Sequence, residues 1–179
     1  LVSTSLSEHS EDKVMHLIRV VSDTEGGAWL FTTGQQEQKR IRLRALHLES
    51  SGKLDETVNL GNGITEFNAI TQSSAGDNFL TSTKYNFTEI GSKADWQVQR
   101  VSSQGKVLWT TVIDSPAHLD DFHCDIKLAV NGDVLVYGSL ATETLDGVVR
   151  TLPTVLRLDA STGKVKKNER SEEHTSELQ

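Results

Sequence analysis

The chain is poor in the residues that stiffen, cross-link or anchor a protein. It has 1 cysteine and 2 prolines in 179 residues. A lone cysteine, Cys124, excludes an internal disulfide and any Cys-x-x-Cys zinc knuckle. The scarcity of proline, with only 13 glycines, excludes collagen-like and low-complexity chains. No apolar run is long enough to span a bilayer, and "LVSTSLSEHSEDK" at the start carries no charged segment followed by an apolar one. Positive charge is also short: 18 Lys and Arg face 25 Asp and Glu, giving a formal net charge of -7. Nucleic acid and anionic membrane surfaces are therefore poor partners. The apolar content of 36% is enough for a packed core, which excludes disorder throughout.

What is present is a repeat. Gly52-Lys53, Gly105-Lys106 and Gly163-Lys164 follow one another at 53 and 58 residues. His47-Leu48-Glu49, Arg100-Val101-Ser102 and Arg157-Leu158-Asp159 hold matching places before them, with one extra residue in the third loop. Upstream in each unit stands a second landmark, Gly26-Gly27, Gly76-Asp77 or Gly132-Asp133, followed by "AWLFTTG", "NFLTST" or "VLVYGS". "ITEF" at Ile64 to Phe67 and "LDDF" at Leu119 to Phe122 are read as a third landmark at the joints. Turn glycines are expected at Gly27, Gly76 and Gly132, and at Gly52, Gly105 and Gly163.

Period-2 alternation between these glycines, as in Ile41, Leu43 and Ala45 or Trp96 and Val98, is a strand pattern, and helical spacing is sustained nowhere. Four short strands every ~50 residues match a β-propeller blade. The expected fold is all-β: a partial propeller of about three four-stranded antiparallel blades in an incomplete ring. The units run over residues 14-63, 64-118 and 119-169, with 1-13 disordered or truncated. The third unit is expected to lose its last strand. Val107, Trp109, Ile126 and Leu128, together with Trp29, Phe79 and Leu135, are expected to pack between blades.

Residues 170-179, "RSEEHTSELQ", match the translation of a common short-read sequencing adapter and are read as a non-native tail. On this reading the chain is a fragment.

The densest group of metal-ligating side chains is "AHLDDFHCD". No metal site is expected there, the nearest candidates being His118, Asp120, Asp121 and His123. On an extended strand from 122 to 126, His123 and Asp125 face one way and Cys124 the other, so they do not converge. The acid at 121 is expected to cap backbone amides at a corner between blades. Cys124 is expected to be buried and inert, with His123 unable to serve as its base. Gly26-Gly27 and Gly61-Asn62-Gly63 lack the following helix that a phosphate loop requires. Arg40, Arg42 and Arg44 share one strand face, expected to be solvated. Asn86-Phe87-Thr88 forms an N-x-T sequon.

"LRLDASTGKV" at Leu156 to Val165 and "RVSSQGKVLW" at Arg100 to Trp109 resemble the PQQ-like repeats of the quinoprotein superfamily. "SSGKLDETVNLGNG", Ser50 to Gly63, resembles delta-60 repeats. The resemblance covers most of Met15 to Lys167. It implies propeller architecture, and for some members a dehydrogenase binding pyrroloquinoline quinone and calcium. Such enzymes carry adjacent cysteines or axial ligands that this chain lacks. The expected function is therefore a non-enzymatic repeat scaffold for an unidentified protein or small-molecule ligand, located outside the cytoplasm, with no catalytic residue and no cofactor. A fragment of a quinoprotein-like dehydrogenase and a structural cell-surface module are the alternatives. The binding loops are expected at Gln35 to Arg40, Asn86 to Ala94 and Ala141 to Leu152. Long reads of the intact transcript are expected to continue past Arg170 with further Gly-Lys repeats; a gene that encodes "SEEHTSELQ" and stops there overturns the adapter reading.

Overall fold

The computed structural model describes residues 14–35, 41–61, 65–88, 91–146 and 148–170. These form twelve strands and, among the described residues, no helix. The first sheet holds β1 (Val14–Ser22), β2 (Ala28–Gln35), β3 (Ile41–Leu48) and β4 (Leu54–Asn59). The second holds β5 (Thr65–Gln72), β6 (Asn78–Thr88), β7 (Gly91–Val101) and β8 (Val107–Ile113). The third holds β9 (Cys124–Leu128), β10 (Val134–Leu145), β11 (Val148–Leu158) and β12 (Val165–Arg170). Each sheet is an antiparallel meander in chain order, and none closes into a barrel. The fold is all-β, a partial propeller of three blades. The third unit keeps its last strand: β12 pairs with β11 from Leu158–Val165 to Thr154–Arg170, so the strand runs into the position read as the start of the tail.

Local chemistry explains why the chain reverses where it does. In the β5–β6 turn, Gly76 N–H donates to the Ser73 carbonyl and Ser73 N–H to the Asp77 carbonyl. The same pair recurs at Gly52 and Glu49, Gly105 and Ser102, and Gly132 and Ala129. This is a tight turn closed by one left-handed residue, which glycine occupies without Cβ strain. In the first blade that residue is Gly26, at φ 86°, and not Gly27 as the sequence suggested. Gly27 is required for a different reason: a side chain there would run into the Leu48 carbonyl and stand 2.6 Å from Asp23 Oδ2. Asp23 fills the space that Asp77 and Asp133 fill from the position after their turn glycines. From it, Asp23 meets His47 at 2.7 Å, as Asp77 meets Arg100 and Asp133 meets Lys166 at 2.6 Å.

The two apolar clusters are the two joints between blades. Trp29, Phe31, Leu43 and Ala45 of the first blade pack on Leu80 and Val101 of the second. Phe79, Trp96 and Val98 of the second pack on Ile126, Val134, Val136 and Leu158 of the third. Phe79 and Leu80 are adjacent on β6 and serve opposite joints, so every residue from Gly76 to Thr83 is buried. Leu135 is only half-buried, unlike Trp29 and Phe79 in the corresponding places.

All three tryptophans point forward along the chain. Trp29 Nε1 donates to the Ser103 carbonyl at 3.1 Å, and Trp109 Nε1 to the Ala160 carbonyl at 2.9 Å. Trp96 Nε1 donates to the Phe122 carbonyl at 3.3 Å. Each ring also lies over a glycine of the next blade: Trp29 over Gly105, Trp96 over Gly138, Trp109 over Gly163. A Cβ at Gly105 would overlap the Trp29 ring, whereas one at Gly132 meets nothing. Both glycines have positive φ, 82° and 84°. Gly132→Ala should therefore cost only the left-handed strain, about 1–2 kcal/mol. Gly105→Ala should add overpacking of the indole, for a total of about 2–5 kcal/mol. Urea denaturation of the two variants measures the difference; equal losses would show that the indole does not need the glycine.

Candidate functional site

The blade ends divide into two rims. The glycine turns gather on one. The β6–β7 and β10–β11 hairpins and the crossover between the second and third blades, residues 114–123, gather on the other. Six potential ligands occur within nine residues of that crossover and the start of β9, and the structure scatters them. His118 Nδ1 binds Asp114 Oδ2 at the exposed surface. Asp120 Oδ1 accepts the Ala94 amide at 2.9 Å. His123 is exposed, with φ 48°, and precedes β9. The extended stretch expected from residue 122 therefore begins only at Cys124, and His123 and Asp125 do not share a strand face. Asp125 instead accepts the Tyr137 hydroxyl at 2.8 Å.

Cys124 is 4% exposed, and burial pushes its thiol up to about 11. Asn68 Nδ2 lies 3.7 Å from its sulfur, and no base approaches among the described residues. That environment keeps the thiol protonated at neutral pH.

Asp121 does cap the corner between blades. It is fully buried, with Oδ2 accepting Ser115 N–H at 2.8 Å and Oδ1 accepting Ala141 N–H at 2.7 Å. Its own amide donates to the Ala94 carbonyl. The pairing of "ITEF" with "LDDF" does not hold, however. Glu66 and Phe67 lie inside β5, where Phe67 opposes Ser82. The corresponding residue of the third sheet is Cys124, opposite Gly138. The alignment is two residues out at Phe67, and a bulge between Phe67 and Ala69 accounts for one of them.

Asp121 gathers two acids that the sequence did not single out. Asp95 on β7, Asp114 after β8 and Asp121 each offer an oxygen within 4.8 Å of the others. Asp95 is 6% exposed. Its Oδ2 accepts Asn86 Nδ2 at 2.7 Å, while its Oδ1 is buried without a hydrogen-bond partner. Desolvation raises the Asp95 carboxyl above the usual carboxylate range, and the charges of Asp114 and Asp121 raise it further. Desolvation also raises Asp121. Nothing in the sequence joins these acids, because Asp95 and Asp114 are single acids in ordinary settings and only folding brings them to Asp121. A cleft of about 230 Å³ opens beside it, lined by Ile113, Asp114, Leu140, Leu152 and Leu156 among others.

Arg44 is 7% exposed, so this residue does not belong to the solvated face expected for Arg40, Arg42 and Arg44; Arg40 lies outside the described residues. No protein-family model matches the chain, and no curated protein matches it. Among the described residues no helix is long and apolar enough to cross a membrane.

The raised Asp95 carboxyl sets the sign of a pH effect. The folded state holds a proton that the unfolded chain releases near 3.8, so this group's contribution to stability falls as pH rises from there through the raised value. Asp95→Asn should remove that fall. In chelator-containing buffer it should be more stable than the parent at pH 7, with the gap closing toward pH 3. Thermal melts across this range test it, and a variant less stable than the parent at every pH would contradict it.

Proposed function

We propose that the chain is a non-enzymatic binding scaffold that works outside the cytoplasm and engages its ligand at the hairpin rim. One observation carries the reading. The β10–β11 hairpin stays paired out to Leu145 and Val148 and presents Leu145, Val148, Val149 and Leu152 to solvent. Neighbouring exposed apolar side chains on a projecting hairpin mark an interaction surface. The apolar cleft beside Leu152 extends that surface toward Asp114. The segments read as loops at Asn86 to Ala94 and Ala141 to Leu152 are largely continuous strand pairs, which present side chains at fixed spacing. The residues from 36 to 40 lie outside the described part.

The likeness to PQQ-like and delta-60 repeats supports a second reading, a part of a quinone-dependent dehydrogenase. The recurring Gly-Lys turns favour it. Such a protein would reduce an artificial dye in the presence of pyrroloquinoline quinone and calcium.

Leu145→Ser, Val148→Ser and Leu152→Ser combined should leave the melting temperature within ~2 °C of the parent, since the side chains are already exposed. The same variant should lose binding on a panel of peptides, glycans and small apolar ligands probed in parallel with the parent. An unchanged binding profile would overturn the scaffold reading at this rim, and quinone-dependent dye reduction would favour the dehydrogenase.

A further inference from the structure

We infer that Asp95, Asp114 and Asp121 form a divalent-cation site, selective for calcium, that ties the second blade to the third. One carboxylate comes from β7 and two from the two ends of the crossover, so one ion would clamp the crossover onto the second blade. Their oxygens all lie within 4.8 Å of one another. That is the span two oxygens can have across an ion bound at ~2.4 Å, the calcium–oxygen distance. Magnesium, at ~2.1 Å, demands near-ideal octahedral geometry and sheds its water reluctantly, so three carboxylates on a fixed backbone suit it less. The donors are all carboxylate oxygens, which suit a hard cation and not zinc or copper.

Two buried oxygens at the cluster lack a hydrogen-bond partner, one on Asp95 itself and one on Ser115. Asp95 Oδ1 is buried without a hydrogen-bond partner, while its Oδ2 is held by Asn86. It is therefore an acceptor turned away from water with no donor to serve it, which is costly unless an ion or proton fills the place. Ser115 Oγ is also fully buried, beside the Asp121 carboxylate, without a partner in good geometry. Asp95 Oδ1 belongs to one of the three carboxylates, Ser115 Oγ would add a further donor, and water would supply the rest from the exposed side at Asp114.

Charge points the same way. Three acids meet here, and the cations near them among the described residues are limited. Lys93 is exposed and acts on Asp95 only through its field. His118 binds the outer acid, Asp114, at the surface. Neither enters the cluster to neutralise the two buried carboxylates. Asp121 is already fixed by the Ser115 and Ala141 amides, so its position is set before any ion arrives.

The test is calorimetric titration of the EDTA-treated, desalted chain with calcium chloride and, separately, magnesium chloride. One calcium is expected per chain, with Kd between about 10⁻⁵ and 10⁻³ M and magnesium at least ~10-fold weaker. Saturating calcium should raise the melting temperature by ~2 °C or more. Asp114→Asn is the decisive variant, because that side chain is exposed and caps no amide. It should weaken calcium binding by at least ~10-fold while melting like the parent in EDTA. Glu25→Gln, exposed on the opposite rim, should bind as the parent does. No calcium binding by the folded parent would overturn the site and leave a shared proton as the means by which the acids coexist. Equal affinity in Asp114→Asn would place any bound calcium elsewhere and overturn it too.

Discussion

The arrangement depends on one contact made three times: an indole packed against a glycine of the following blade, its N–H given to a nearby carbonyl. A four-stranded sheet has two faces and cannot cover either alone. The tryptophans solve this with direction as well as area. A large ring closes the apolar joint, and the N–H, which burial would otherwise leave unserved, finds a backbone acceptor across it. Glycine opposite the ring is the complementary half. With a side chain at Gly105, Gly138 or Gly163 the ring could not lie where it does. The cation–π contact of Arg100 over Phe79, and the Arg100 donation to the Ala160 carbonyl, reinforce the second joint at the same rim.

The two rims have different work. On the turn rim, acid–base pairs tie β-turns to the strand beside them, and two of those acids are held below their usual range, Asp23 by His47 and Asp133 by Lys166. On the hairpin rim Asp95 and Asp121 are raised instead, by burial first and then by neighbouring acids. Lowered acids stabilise the fold as charged groups. Raised acids are a cost that a fold carries only where something else fixes them in place. Here Asp121 is fixed as the cap of the corner between blades.

The repeat was legible because turns of this kind need glycine at a single place, and the chain spells that place out six times. The strands followed from the alternation between them, and packing of Trp29, Phe79 and Trp109 between blades followed from strand spacing. The capping role of Asp121 was legible in kind but not in register, and the bulge at β5, which no local pattern announces, accounts for one of the two residues of slip. Arg44 was misjudged because period 2 gives a side of the strand and not what the next segment lays against it. Asp95 and Asp114 were invisible for a simpler reason. Each is a single acid in an ordinary setting, and only the crossover brings them to Asp121.

The forward orientation of the indoles also orders events in time. A ribosome releases Trp29 before Ser103, 74 residues later, and Trp109 before Ala160, 51 residues later. The first and second blades thus emerge with a ring already made and waiting for a turn that does not yet exist. Domains form from the N-terminal side during synthesis, and here the turns at Gly105 and Gly163 each find a finished receptor behind them. The nascent chain can therefore zip up in the direction of translation, one joint at a time, with a single apolar face exposed at the growing end.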